Sequence, residues 1–177
     1  MKHNLLKVLV TGVLLASSAL AAGGSQSNLP LPDATVAQNV QQQLMKYGNY
    51  GMFDEVSFQM HDKQVVLTGS VTEPFKKADM EKIAAKVKGV EGVTDNIQVQ
   101  AFSDSDNALR ARIATAFHND PSLSQYQGPN PAIHVIVNNG QATLVGKVQT
   151  QNDKQDAALL SQYAGATATT NDLQVAA

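Results

Sequence analysis

The chain has 177 residues, 13 basic against 15 acidic, a net charge of −2, and no cysteine. Zero cysteine excludes thiol catalysis, zinc-thiolate sites and disulfide support. The acidic balance, with no basic tail and no cluster of aromatic and basic residues, excludes the usual nucleic-acid surfaces and broad attraction to anionic membranes.

The chain opens with the pattern of a targeting segment. Lys2, His3 and Lys7 precede an apolar run over residues 8–20, and Ala19 and Ala21 supply small residues at a cleavage site. The run is too short to span a bilayer, which needs about 20 apolar residues. Residues 1–22 are therefore expected to be a signal peptide. No lipobox cysteine follows, so a lipoprotein is not expected and the periplasm is. Without Lys2 and Lys7 the balance becomes 11 basic to 15 acidic residues, a net charge of −4. Residues 23–32 (GGSQSNLPLP) read as a flexible tether.

Asp33 is placed to cap a first helix whose Val36, Val40 and Leu44 lie on one face. Val56, Phe58 and Met60 alternate with Ser57 and Gln59, as in a half-buried strand. His61, Asp62 and Lys63 form a tight turn into a return strand over residues 64–71. Thr72 is a candidate N-cap for a second helix, with Met80, Ile83, Ala84 and Val87 as its core stripe and Gly89 closing it. A last strand carries Val93, Ile97 and Val99.

The same order then returns. Leu109, Ile113 and Phe117 answer Val36, Val40 and Leu44, and Ile133, Val135 and Val137 answer Val56, Phe58 and Met60. Asn139-Gly140 makes a better hairpin turn than Asp62-Lys63, because Asn-Gly favours positive φ. Leu67, Gly69 and Val71 map onto Leu144, Gly146 and Val148 at an offset of 77; Gly89, Ile97 and Val99 map onto Gly165, Leu173 and Val175 at 76. Thr150 caps the second helix of this copy, whose stripe is Ala157, Leu160, Tyr163 and Ala164. The loop over residues 119–131 is four residues longer than its counterpart. A repeat of this length is a whole small domain. The expected architecture is α+β: two tandem αββαβ units, over residues 33–101 and 103–177, each a three-stranded mixed sheet with two helices packed on one face.

These motifs resemble the BON domain family. The resemblance rests on Asp120-Pro121, Ile133-His134-Val135, Gly140, the strand from Thr143 to Val148, Gly165 and Asp172-Leu173-Gln174-Val175. In the first copy it rests on Val56-Ser57-Phe58, the strand from Val65 to Val71, Gly89-Val90 and Asn96-Ile97-Gln98-Val99. Ala166 after Gly165, Asp172 where Asn is usual and Asp62-Lys63 in place of a turn glycine depart from the pattern. The resemblance implies exported modules linked to envelope integrity, osmotic stress and phospholipid contact, without catalytic activity.

The residues themselves show no catalytic constellation. His61, His118 and His134 lack metal-ligand spacing and read as exposed bystanders, His134 by alignment with outward-facing Ser57. No cofactor is expected. Gly69 and Gly146 read as bends or sites of close backbone packing. The lysines from Lys76 to Lys88 scatter around their helix among Asp79 and Glu81, which describes a solvated face.

Two features point to binding. Tyr47, Tyr50, Met52 and Phe53 gather in one glycine-bearing loop, suited either to a membrane or partner surface or to covering the other repeat. Arg110 and Arg112, the only arginines, flank the Leu109/Ile113/Phe117 stripe as shoulders that could reach lipid phosphates. The expected function is a non-enzymatic periplasmic module contacting phospholipid or envelope components through these six residues. The alternative is a protein–protein module using the loop over residues 47–53.

Overall fold

The computed structural model describes residues 6–9 and 32–176. The cleavage site and all of the tether but Pro32 lie outside the described residues, as does the signal segment except for one strand, β1 (Leu6–Leu9).

The first repeat runs α1 (Asp33–Met45), β2 (Glu55–His61), β3 (Gln64–Val71), α2 (Pro74–Ala85) and β4 (Gly92–Val99). The second runs α3 (Asp104–Asn119), β5 (Ile133–Asn138), β6 (Gln141–Val148), α4 (Gln151–Tyr163) and β7 (Ala168–Val175), with a 3₁₀ turn, Ser124–Tyr126, between α3 and β5. Each unit pairs its first two strands antiparallel and its last two parallel, so the sheets are mixed. The first sheet differs from expectation by one strand. β1 adds antiparallel to β2 with Leu6 opposite Met60 and Leu9 opposite Ser57. An outer strand offers unpaired N–H and C=O groups, which an added strand satisfies.

The apolar stripes identified by spacing are the cores. Val36, Val40, Leu44, Phe58, Leu67, Met80 and Ile97 fill one; Leu109, Ile113, Phe117, Val135, Leu144 and Leu173 fill the other. The extra loop of the second repeat contributes Leu123 and Tyr126 to its core. Tyr126 Oη donates to Asp153 (2.6 Å) and accepts from Gln149 N (2.8 Å), which ties that loop to the start of α4.

Helix starts differ from the spacing argument in the first repeat. Pro32, not Asp33, precedes α1, and Asp33 lies in the first turn. Glu73, not Thr72, precedes α2, because Thr72 points its N–H and hydroxyl at Asp54 instead. In the second repeat Thr150 and Asp153 form the reciprocal capping box. Both hairpins turn on two residues with positive φ: Asp62 and Lys63 in one, Asn139 and Gly140 in the other. The geometry is shared, but only the second copy has the residues that adopt it cheaply.

The repeated strand glycine is explained by contact. At Gly69 (φ +122°) an added Cβ would stand 2.1 Å from the Glu55 carbonyl oxygen; at Gly146 (φ +130°) it would stand 2.1 Å from that of Ala132. Both are backbone neighbours that cannot yield. Gly146→Ala is therefore expected to cost more than about 2 kcal/mol, from strain plus displaced backbone. Gly48→Ala, with nothing within 4 Å, should stay within roughly 0.5 kcal/mol. Urea unfolding compares the two, and equal costs would refute the close-approach account.

Candidate functional site

The loop between α1 and β2 turns inward. Tyr50 is buried in the first core, and its hydroxyl accepts from Val56 N at 2.9 Å. Burial pushes that hydroxyl well above the ordinary tyrosine value. Tyr47 packs on the same core and donates to Asp79 Oδ2 at 2.9 Å, and its pKa is raised by burial and by that carboxylate. Met52 and Phe53 cross over and pack against the core of the second repeat. The Met52 carbonyl accepts from Val135 N (2.6 Å), so the loop bonds to β5 by main chain.

Asp54 holds this loop in shape. It is buried, and its carboxylate accepts from Gly51 N (2.9 Å), Thr72 N (2.8 Å), Thr72 Oγ1 (2.9 Å) and Lys76 Nζ (2.7 Å). A buried carboxylate with four donors, one of them a cation, is fully compensated. Phe53's carbonyl accepts from Gln100 Nε2 at 2.7 Å, which ties the loop to the segment joining the repeats.

Arg110 completes the junction. Expected as an exposed shoulder, it is 7% exposed. Its guanidinium donates to Asn107 Oδ1 (2.6 Å), Gln100 Oε1 (2.6 Å) and the Val137 carbonyl (2.8 Å). Burial lowers its pKa from the ordinary value, opposed by Asp106 and Asp54. Asp106, one turn back on α3, accepts from Asn139 N (2.9 Å) and Gly140 N (2.8 Å) and so holds the β5–β6 turn.

His134 also departs from expectation. It aligns with Ser57 on the outward face of its sheet, yet its exposure is 0%. The first repeat covers it: the Tyr50 ring lies 5.2 Å away between centroids, tilted by 54°.

Arg112 is the exposed arginine. Its Nε donates to the Ala164 carbonyl (2.6 Å) at the C-terminal end of α4. It borders a shallow depression on α3 lined by Ala111, Thr115 and Ala116. Tyr163, the residue before Ala164, is 77% exposed, and Leu159 one turn earlier is 45% exposed. Tyr163 was expected in the core stripe of α4; the buried line is Asp153, Ala157 and Ser161, with Leu160 and Ala164 packed beside it. Small residues close that line because α4 lies near α3 and the sheet. Arg112 thus meets the C-terminal end of α4, whose last turns expose Leu159 and Tyr163. Among the described residues no group of three acidic, histidine or cysteine side chains could hold a metal ion.

The model of the family described as "BON domain" matches residues 32–101 and again residues 105–177. No curated protein matches the chain. Solved structures similar to it include CdsD, a structural protein of the type III secretion system of Chlamydia trachomatis. That likeness has 14% identity, 80% coverage of this chain and 93% of that one, and a TM-score of 0.29. The C-terminal domain of the same protein matches at 13% identity, covering 83% of this chain and all of that one, also with a TM-score of 0.29.

The two arginines provide a direct check of this placement. Arg110→Ala strands the Val137 carbonyl and Gln100 in a buried junction and should cost about 1–3 kcal/mol. Arg112→Ala removes one exposed bond and should fall within about 0.5 kcal/mol. Chemical denaturation of both variants measures the difference, and an Arg112 effect as large as that of Arg110 would contradict it.

Proposed function

The chain belongs to the BON domain family, as two such domains in tandem, and from that premise we propose that it is a non-enzymatic module of the periplasm that contacts phospholipid at the membrane surface. The role in envelope integrity and osmotic stress implied by the resemblance belongs to the same proposal. The observation that supports it is that α3 and α4 expose Arg112, bonded to the C-terminal end of α4, together with Leu159 and Tyr163 on the last turns of α4. A guanidinium suits a lipid phosphate, and a tyrosine with an aliphatic neighbour suits the interface between headgroup and acyl chain. The chain is acidic overall, so such contact is local rather than a product of net charge. Of the six side chains expected to bind, Arg112 is the one offered here for lipid contact. Arg110, Tyr47, Tyr50, Met52 and Phe53 are engaged in the cores and the junction between repeats. No described helix is long and apolar enough to cross a membrane, and the proposed contact is peripheral.

A protein–protein module is the competing reading, favoured by Phe102 at 86% and Phe75 at 51% exposure. Flotation with vesicles of phosphatidylethanolamine and phosphatidylglycerol separates the two. Wild type should float, and Arg112→Glu/Tyr163→Ser should remain folded and lose most of its vesicle binding. Wild type that never floats would remove the lipid reading. A double variant that floats as well as wild type would move the contact elsewhere.

A further inference from the structure

His134 is the one fully buried imidazole in the described chain, and it lies at the seam between the repeats. Neither ring nitrogen has a partner at ordinary hydrogen-bond distance, and the backbone of Gly51 and Asp54 supplies the nearest acceptors. Around it the seam is otherwise well bonded, through Val135 N to the Met52 carbonyl and through the four donors on Asp54. A neutral imidazole tolerates such a place; an imidazolium requires two acceptors or water.

We propose that the junction between the two repeats is acid-labile: a proton on His134 leaves a fully buried cation, only partly compensated by nearby backbone, beneath the loop over residues 50–54 and releases that loop from β5. Release would free Met52 and Phe53 from the second core, so that acid unmasks apolar surface. This inference concerns the junction alone and stands whatever the protein binds.

The charged groups around His134 do not reverse this. From the first repeat the facing titratable groups are Tyr50, whose hydroxyl stays neutral, and Asp54, whose carboxylate is already engaged by Lys76 and Thr72. Glu55 begins β2 beside them. On the histidine's own sheet, Val145 is its register partner on β6 and Asp172 stands beyond it on β7, exposed. Lys147, farther along β6, and Arg110, bonded to Val137 on β5, both add positive charge. The backbone at Asp54 and Gly51 and the Asp54 charge favour the proton, but burial outweighs them and pushes the imidazole below its ordinary 6.5.

The sign follows directly. A histidine with a lowered folded value prefers to be neutral in the closed junction. Closure is fully stable above about pH 6.5, where the open form is also neutral. It weakens as pH falls through 6.5 toward the folded value, because the open form binds the proton first. Each pH unit in that window shifts closure by at most about tenfold.

Amide hydrogen exchange in the intact chain tests this. The protection factor of the Val135 amide, which bonds to Met52, should fall between pH 6.5 and 5.5, by up to about fivefold. Amides of β3 should hold their protection. In His134→Ser, which takes the residue found at Ser57, the Val135 protection should be flat over the same range. Flat protection in wild type, or an equal fall in the variant, would overturn the proposal. If the variant does not fold, titration of the His134 ring by NMR in wild type decides it. A midpoint well below 6.5 supports the proposal, and one at or above 6.5 ends it.

Discussion

The structure depends on one main-chain contact between its halves, the Val135 amide on the Met52 carbonyl. Each repeat is a small α+β unit with no disulfide to help it. Units of roughly 70 residues bury only about 60% of the surface their unfolded chains expose. The loop over residues 47–54 offsets that weakness by serving both units at once. Tyr47 and Tyr50 finish the first core, while Met52 and Phe53 extend the second. Asp54 clamps the loop to α2, and Gln100 and Arg110 clamp it to the second repeat. The chain is thereby more than two domains on a string.

This arrangement accounts for how the conspicuous residues divide. The loop is rich in aromatic and apolar side chains because it spans two cores. Arg110 is held inside because the Val137 carbonyl and the Gln100 side-chain oxygen accept its guanidinium there. Among the described residues, the surface keeps Arg112, Leu159 and Tyr163 on the helical layer, and Phe75, Val99, Phe102 and Val175 elsewhere.

Most of the fold was legible from local pattern, since helix and strand periodicities act within a few residues. The stripes of α1 and α3, the alternation of β2 and β5 and the repeated glycines all have causes close in sequence. Gly69 answers to the Glu55 carbonyl on β2, and Gly146 to the Ala132 carbonyl just before β5. The candidate site was far less legible, because its causes lie across the repeat boundary. His134 carries the alternation of an outward residue, and nothing within its own strand reveals that Tyr50 will cover it. Arg110 sits at a helix shoulder, and only the returning linker at Gln100 makes that shoulder an interior. Tyr163 was misplaced for a different reason. Its size suggested core, but the close approach of α4 selects Ala157 and Ser161 on the buried line.

The central claim is that the two repeats form one energetically coupled body through this loop. Native-state hydrogen exchange in a Leu67→Ala variant tests it most directly. Leu67 is wholly buried in the first repeat, and its truncation costs about 2–5 kcal/mol there. A coupled body predicts that the most protected amides of β6, in the second repeat, lose a substantial part of that energy too. Full retention of β6 protection, with the loss confined to the first repeat, would contradict the account.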